Sequence, residues 1–88
     1  MPADRVIIRS AADRQALEEL RARVVDLAVE FEDANRRGDA MNDLDDPLTA
    51  EQAAAGEQAD IDYNRSKAEL FRAVQALKTE AAKQGVAP

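Results

Sequence analysis

The apolar residues between Leu17 and Ala34 follow one spacing, and that spacing limits the folds open to this chain. They are Leu17, Leu20, Val24, Leu27, Phe31 and Ala34. Steps that alternate between three and four residues bring side chains to one side of an α-helix and are typical of a coiled-coil seam. The pattern therefore predicts a long helix whose apolar seam must be covered by a second helix.

Helix one has a clear start signal and a candidate stop signal. Ser10 and Asp13 have the spacing of a capping box, which marks the first turn of a helix. Neither glycine nor proline interrupts the chain from there to Gly38. We expect helix one to span about residues 11–37 and to end at Gly38.

A second helix is expected after an acidic loop at residues 38–48. Thr49 and Gln52 form another capping-box pair, and Gly85 is a C-terminal stop signal. These signals predict helix two at about residues 50–84. Its expected seam is Ala55, Ala59, Tyr63, Ser66, Leu70, Val74, Leu77 and Ala81.

The predicted fold is all-α, an antiparallel two-helix hairpin of the coiled-coil kind formed by residues 10–88. The first half of the second seam is small and the second half is bulky. Antiparallel folding is expected to place Phe31 against Gly56 and to bring Leu17 near Leu70 and Phe71.

A second apolar stripe predicts self-association or a partner. Ala22, Val25 and Val29 lie opposite the seam of helix one. Val74 and Leu77 are expected to lie beyond the reach of helix one and to remain uncovered. An N-terminal arm or a second subunit would cover Val74 and Leu77, and dimerisation would complete a helical bundle. The alternative for the stripe is that the valines are simply exposed, which is common at protein surfaces.

Residues 1–9 are predicted to form a short extended N-terminal arm. Three β-branched residues stand between Arg5 and Arg9, as in a short strand, and Val6 and Ile8 are expected to pack over the helices.

An arginine-flanked strand before a capped helix resembles the opening of ribbon-helix-helix repressors. That resemblance implies a strand in the DNA major groove, with Arg5 and Arg9 reading bases. In those repressors the first helix ends after three or four turns, whereas the helical pattern here continues to Arg37. The net charge of −6 also opposes nucleic-acid binding.

Composition excludes several kinds of chemistry. The chain has no cysteine and no histidine, so it lacks thiolate nucleophiles, imidazole bases and the commonest metal ligands. We predict no catalytic residue, no cofactor and no metal site. No apolar run has the length of a membrane span, and residues 1–9 lack the core of a signal peptide, so a cytoplasmic location is expected.

The middle of the chain is strongly acidic. No basic residue lies between Arg37 and Arg65, and a hairpin would place this segment at its tip. The helix dipole favours carboxylates at the start of helix two, which accounts for some of them. The candidates for binding a basic partner are Asp39, Asp43, Asp45 and Asp46.

A helical hairpin with Gly38-Asp39 at its tip resembles the coiled-coil finger of Gre-type transcription factors. That resemblance implies a tip that enters an RNA polymerase channel and places acidic residues near the catalytic magnesium. The Ser-Glu-Asn that usually follows Gly-Asp in that family is absent.

Together these features predict a non-catalytic interaction or assembly protein, such as a small adaptor, a regulator or a component of a phage or other large assembly. A homodimer that also binds a basic protein is expected. The alternatives are a DNA-binding regulator that uses Arg5 to Arg9, and an acidic mimic of DNA that inhibits a nucleic-acid-binding protein.

Overall fold

Two long helices form nearly all of the chain that the computed structural model describes, residues 10–88. α1 spans Ala11–Met41 and α2 spans Ala50–Gln84. They pack against each other as an antiparallel hairpin, and the described range contains no strand. The molecule is 72 Å long and 20 × 14 Å across. The all-α hairpin is confirmed, whereas the predicted arm at residues 1–9 lies outside the described range.

Each helix begins with the capping box that the sequence predicts. The Asp13 N–H donates to Ser10 Oγ at 3.1 Å, and the Ser10 N–H donates to the Asp13 carboxylate at 3.3 Å. Thr49 and Gln52 repeat the arrangement at 3.1 and 2.8 Å. These bonds satisfy backbone donors that the first turn of a helix leaves without an intrahelical partner.

α2 ends in a Schellman motif at the predicted stop. Gly85 has a φ of 72°, a left-handed conformation that glycine adopts without steric cost. The Val86 N–H donates to the carbonyl oxygen of Ala81 at 2.9 Å. The turn brings Val86 back against the apolar cluster that contains Leu17 and Leu77.

The two helices meet along seams of strict three-four spacing. Every predicted seam residue of α1 is buried or half-buried, and the same spacing continues to Gly38 and Met41, which are half-buried. The seam of α2 consists of Gln52, Gly56, Ala59, Tyr63, Ser66, Leu70, Ala73, Leu77, Glu80 and Gln84, and the predicted seam residue Ala81 is fully buried beside it. A shared period of 3.5 residues is the geometry of a left-handed coiled coil.

The predicted end of α1 at Gly38 is wrong. The helix continues to Met41, and Gly38 keeps a right-handed helical backbone. The Met41 side chain packs over Gly56, where an added Cβ would lie 3.2 Å from Met41 Cε. This contact continues the seam and stabilises the last turn of α1 in its helical conformation.

The longer α1 shifts the pairing of the helices by about two turns of α2. Leu17 packs against Leu77 and Ala81, not near Leu70 and Phe71 as predicted. Leu77 is only 8% exposed. The prediction that α1 leaves Leu77 uncovered is therefore wrong, because its side chain fills the seam of the hairpin itself.

The shift also changes the packing near the middle of the hairpin. Phe31 packs on Tyr63, with ring centroids 4.8 Å apart, instead of on Gly56. Ala55, which was predicted in the seam, is exposed. Ala73 is buried in the seam although the prediction omitted it.

Side-chain to backbone hydrogen bonds connect the two helices at the end opposite the loop. Gln84 Nε2 donates to the carbonyl oxygen of Asp13 at 2.8 Å, and the Gln84 residue is buried. The Arg21 guanidinium donates to the carbonyl oxygens of Ala87 and Pro88, each at 3.2 Å. These bonds fix the relative position of α1 and the end of α2.

Replacement by alanine is predicted to have different effects at the two seam glycines, Gly38 and Gly56. A Cβ at Gly38 would meet nothing within 4 Å, whereas one at Gly56 would press on Met41. Gly38→Ala should stabilise the fold by about 1 kcal/mol through helix propensity. Gly56→Ala should gain clearly less, because the Met41 side chain must move.

Urea unfolding followed by circular dichroism, at one protein concentration, measures both changes. An equal gain from the two substitutions would mean that Met41 does not pack closely on Gly56.

Candidate interaction surface

The contact between α1 and α2 reaches solvent along two long sides of the hairpin. These two sides differ in chemistry. One side, called here the charged side, presents Arg23, Glu30, Asp33, Arg37, Asp62, Arg65, Glu69 and Arg72. The other, called the groove side, carries a groove lined by Phe31, Lys67, Leu70, Phe71, Val74 and Gln75. A partner would therefore meet mainly charged side chains on one side, and a groove with mainly apolar walls on the other.

On the charged side, Asp62 is the centre of an ion-pair network. Its carboxylate accepts hydrogen bonds from Arg37 Nη1 at 3.0 Å, Arg65 Nη2 at 2.6 Å and Gln58 Nε2 at 3.0 Å. Arg37 also donates through Nε to Asp33 at 3.0 Å. The bond between Arg37 and Asp62 joins α1 to α2, and the Asp62 side chain is only 18% exposed.

This network shifts the protonation of its members. Hydrogen bonds from Gln58 and Arg37, together with the charge of Arg65, hold the pKa of Asp62 below its ordinary value of 3.8. The hydrogen bond to Asp62 raises the pKa of Arg37. Asp62 therefore remains charged and paired within the hairpin, so its part in the acidic middle of the sequence has a structural explanation.

The groove on the opposite side has a volume of about 270 Å³. Phe71 lies at its edge and is 63% exposed, while Leu70 and Val74 are half-buried. Val74, predicted from the sequence to meet a partner, thus lies in the groove. Lys67 supplies a positive charge there, and its Nζ lies 5.9 Å from the centroid of the Tyr63 ring.

A second hollow of about 270 Å³ lies nearer the tip and is called here the glycine cleft. It is lined by Ala34, Asn35, Gly38, Asp39, Asn42, Ala59, Asp60 and Tyr63. Tyr63 connects the two hollows, because its ring also contacts Phe31 in the wall of the groove. The cleft and the groove are therefore neighbours on one side of the hairpin.

The second stripe of α1 is exposed, as expected. Val25 and Val29 are each 60% exposed, and Ala22 is also exposed. By heptad position, Val25 turns toward the groove side, whereas Ala22 and Val29 lie on the outer surface of α1. Their role as a contact surface stays a prediction.

The acidic tip consists of Asp39, Asp43, Asp45 and Asp46, and all four are exposed. Asp39 lies in the last turns of α1, and the others lie in the loop before α2. Within residues 10–88, no group of three or more acidic side chains is placed to hold a metal ion. Binding of a basic partner by the tip stays a prediction.

Sequence reasoning missed the glycine cleft and the exposure of Phe71. Phe71 stands beside the seam residue Leu70, so a bulky aromatic residue outside the three-four spacing was a visible signal. The cleft had no such signal, since it depends on the register that brings Gly38 opposite Ala59.

Comparison with protein-family models, with curated proteins and with solved structures finds no significant match for this chain. Neither α1 nor α2, the helices of the described range, combines the length and the apolar content that a membrane crossing requires. The cytoplasmic location stays a prediction.

The Asp62 network predicts a pH-dependent effect of Asp62→Asn. Because the pKa of Asp62 is lower in the folded than in the unfolded chain, the carboxylate stabilises the fold above pH 3.8. That contribution is lost as the pH falls through the lowered pKa. Asp62→Asn should therefore lower the urea midpoint at neutral pH and have little effect in strong acid.

Asp26→Asn is the matched control, since Asp26 is exposed and forms no ion pair within the described residues. It should change the midpoint little at either pH. A deficit of Asp62→Asn that is the same at neutral and acid pH would rule out the ion-pair explanation.

Proposed function

We propose that this protein is a non-catalytic interaction or assembly protein whose main contact surface is the groove side. The observation that carries the proposal is Phe71, a large aromatic side chain that is 63% exposed at the edge of an apolar groove. Burying the exposed part of such a side chain contributes at most about 1.5–3 kcal/mol before the costs of association. Phenylalanine is among the aromatic residues that are enriched in protein interfaces.

The contrast between the two sides supports this choice. On the charged side, Arg37 and Arg65 already pair with Asp62 inside the hairpin, so a partner would have to compete with formed ion pairs. On the groove side, Leu70, Phe71 and Val74 expose apolar surface to water, which is unfavourable in free energy.

The acidic tip is proposed as a second, electrostatic contact. Its four carboxylates form no ion pair within the described residues, so their charge acts on the surroundings. Clustered charge of one sign speeds the approach of a partner of opposite sign. The tip would therefore attract a basic protein while the groove side supplies apolar contact.

Regulation of DNA is not favoured by any contact of the described residues. The strand from Arg5 to Arg9, on which the repressor interpretation depends, lies outside the described range. Imitation of DNA by the acidic tip stays a prediction from the sequence.

Site-specific photo-crosslinking in cells tests the groove side. A photo-reactive phenylalanine analogue in place of Phe71 should form a protein adduct, because this side chain would lie inside the interface. The same analogue in place of Ala76, which lines the charged side of the same helix, is the matched control and should form little adduct. Equal yields at both positions, or none at Phe71, would reject the groove side as the contact surface.

The tip is tested with the analogue in place of Leu44, which is 37% exposed in the loop. Exchanging Asp43, Asp45 and Asp46 for asparagine should strongly reduce the adduct at Leu44, since the attraction of a basic partner is lost. Neutralising Glu18, Glu19 and Asp26, exposed carboxylates on α1, should leave it unchanged. If the adduct at Leu44 forms equally well after the tip is neutralised, the tip does not attract a basic partner, and this part of the proposal is wrong.

A further inference from the structure

We propose that the groove side binds a second copy of the same chain in antiparallel orientation, with Phe71 of each copy inserted into the glycine cleft of the other. This inference rests on the proposed function, because it requires the groove side to be a contact surface. It adds the identity of the partner and the register of the contact.

The first support is that a projecting group and a matching hollow lie on one side of the same molecule. Phe71 projects at the edge of the groove, and the glycine cleft lies nearer the tip. Phe71 and Asp60, a residue of the cleft wall, are eleven positions apart, which corresponds to roughly 16 Å along α2. A two-fold axis midway between them, near Ser66, would bring each Phe71 to the partner's cleft.

The second support is the shape of the cleft. Gly38 has no side chain, and a Cβ added to it would meet no atom of another side chain or of α2 within 4 Å. Ala34 and Ala59 contribute only methyl groups to the walls, and the Tyr63 ring forms one side. An aromatic ring can therefore enter beside Tyr63 and stack at the offset or edge-on geometries that such pairs prefer.

The third support is charge complementarity across the same axis. The groove carries the cation Lys67, and the cleft carries the carboxylates of Asp39 and Asp60. The two-fold axis that seats Phe71 also brings Lys67 to about one helical turn from the partner's Asp60. Each copy would then contribute one such pair of opposite charges, and both pairs would flank the inserted aromatic rings.

Antiparallel orientation also separates the acidic tips. A parallel contact would place two clusters of aspartates side by side, and like charges at an interface disfavour that arrangement. With the axis near Ser66, each tip lies about 30 Å from the axis and roughly 60 Å from the other tip. A second copy can therefore cover both grooves while Asp43, Asp45 and Asp46 of each tip stay free for a basic protein.

Light scattering and sedimentation over a concentration series test the proposal with the purified chain. The native protein should dimerise. Phe71→Ser and Gly38→Phe should each weaken the dimer at least tenfold, the first by removing the inserted ring and the second by filling the cleft from within. Ile61→Ser is the matched control, because Ile61 is 50% exposed but faces outward by its heptad position, and it should leave the dimer intact.

Helical content measured on each variant separates loss of the dimer from loss of the fold. A Cβ at Gly38 meets nothing within 4 Å and Gly38 lines a hollow, so we expect the Gly38→Phe hairpin to fold with the circular dichroism of the native chain. A folded Gly38→Phe variant that still dimerises like the native chain would overturn the insertion of Phe71 into the cleft.

Charge reversal tests the register. Lys67→Glu and Asp60→Lys should each weaken the dimer several-fold, because each places like charges opposite one another. The double variant restores opposite charges and should return the dissociation constant to within about threefold of the native value. Absence of this rescue would overturn the proposed register.

The outcomes also distinguish this inference from the proposed function. A purified chain that stays monomeric, while the analogue at Phe71 captures a protein of another mass in cells, overturns the second copy and keeps the groove side as the contact surface. A monomer without any adduct at Phe71 overturns both.

Discussion

The packing of one seam against another is the constraint on which this molecule depends. A pair of helices can cover each other only along a single line of contact, so residues outside the seams of α1 and α2 remain at the surface. The register of that contact therefore determines both what is buried and what is presented. The same pairing that buries Leu77 against Leu17 leaves Phe71 exposed beside the seam.

This hairpin differs from a uniformly packed coiled coil because some of its seam residues are small and leave space between the helices. The Met41 side chain packs on Gly56 and fills the space beside that glycine. Gly38 has no such neighbour, and the space beside it remains open as part of the cleft. On the charged side, Arg37 links the helices through Asp62, and a hollow with Leu20, Ala73 and Ala76 in its walls is bordered by Arg23, Glu69 and Arg72. One three-four spacing of seam residues is therefore flanked by charged residues on one side of the hairpin and by the groove and the cleft on the other.

Local signals in the sequence predicted the helix starts and the stop at Gly85, because caps depend on residues a few positions apart. The stop predicted at Gly38 was wrong, since a glycine in a seam position can remain helical when a later residue continues the packing. Extending the three-four spacing from Ala34 to Met41 would have revealed this. The bond between Arg37 and Asp62, the burial of Leu77 and the cleft depend on the register between helices, which no local signal specifies.

The order of seam contacts along the hairpin has a kinetic consequence. Contacts next to the loop, such as Met41 with Gly56, close the shortest stretch of chain and cost the least entropy. Met41 and Gly56 are only half-buried, so this contact removes little apolar surface from water. The well-buried cluster of Leu17, Leu77 and Ala81 joins residues far apart in sequence. We therefore expect the helices to associate late and cooperatively, with a transition state that already spans most of the hairpin.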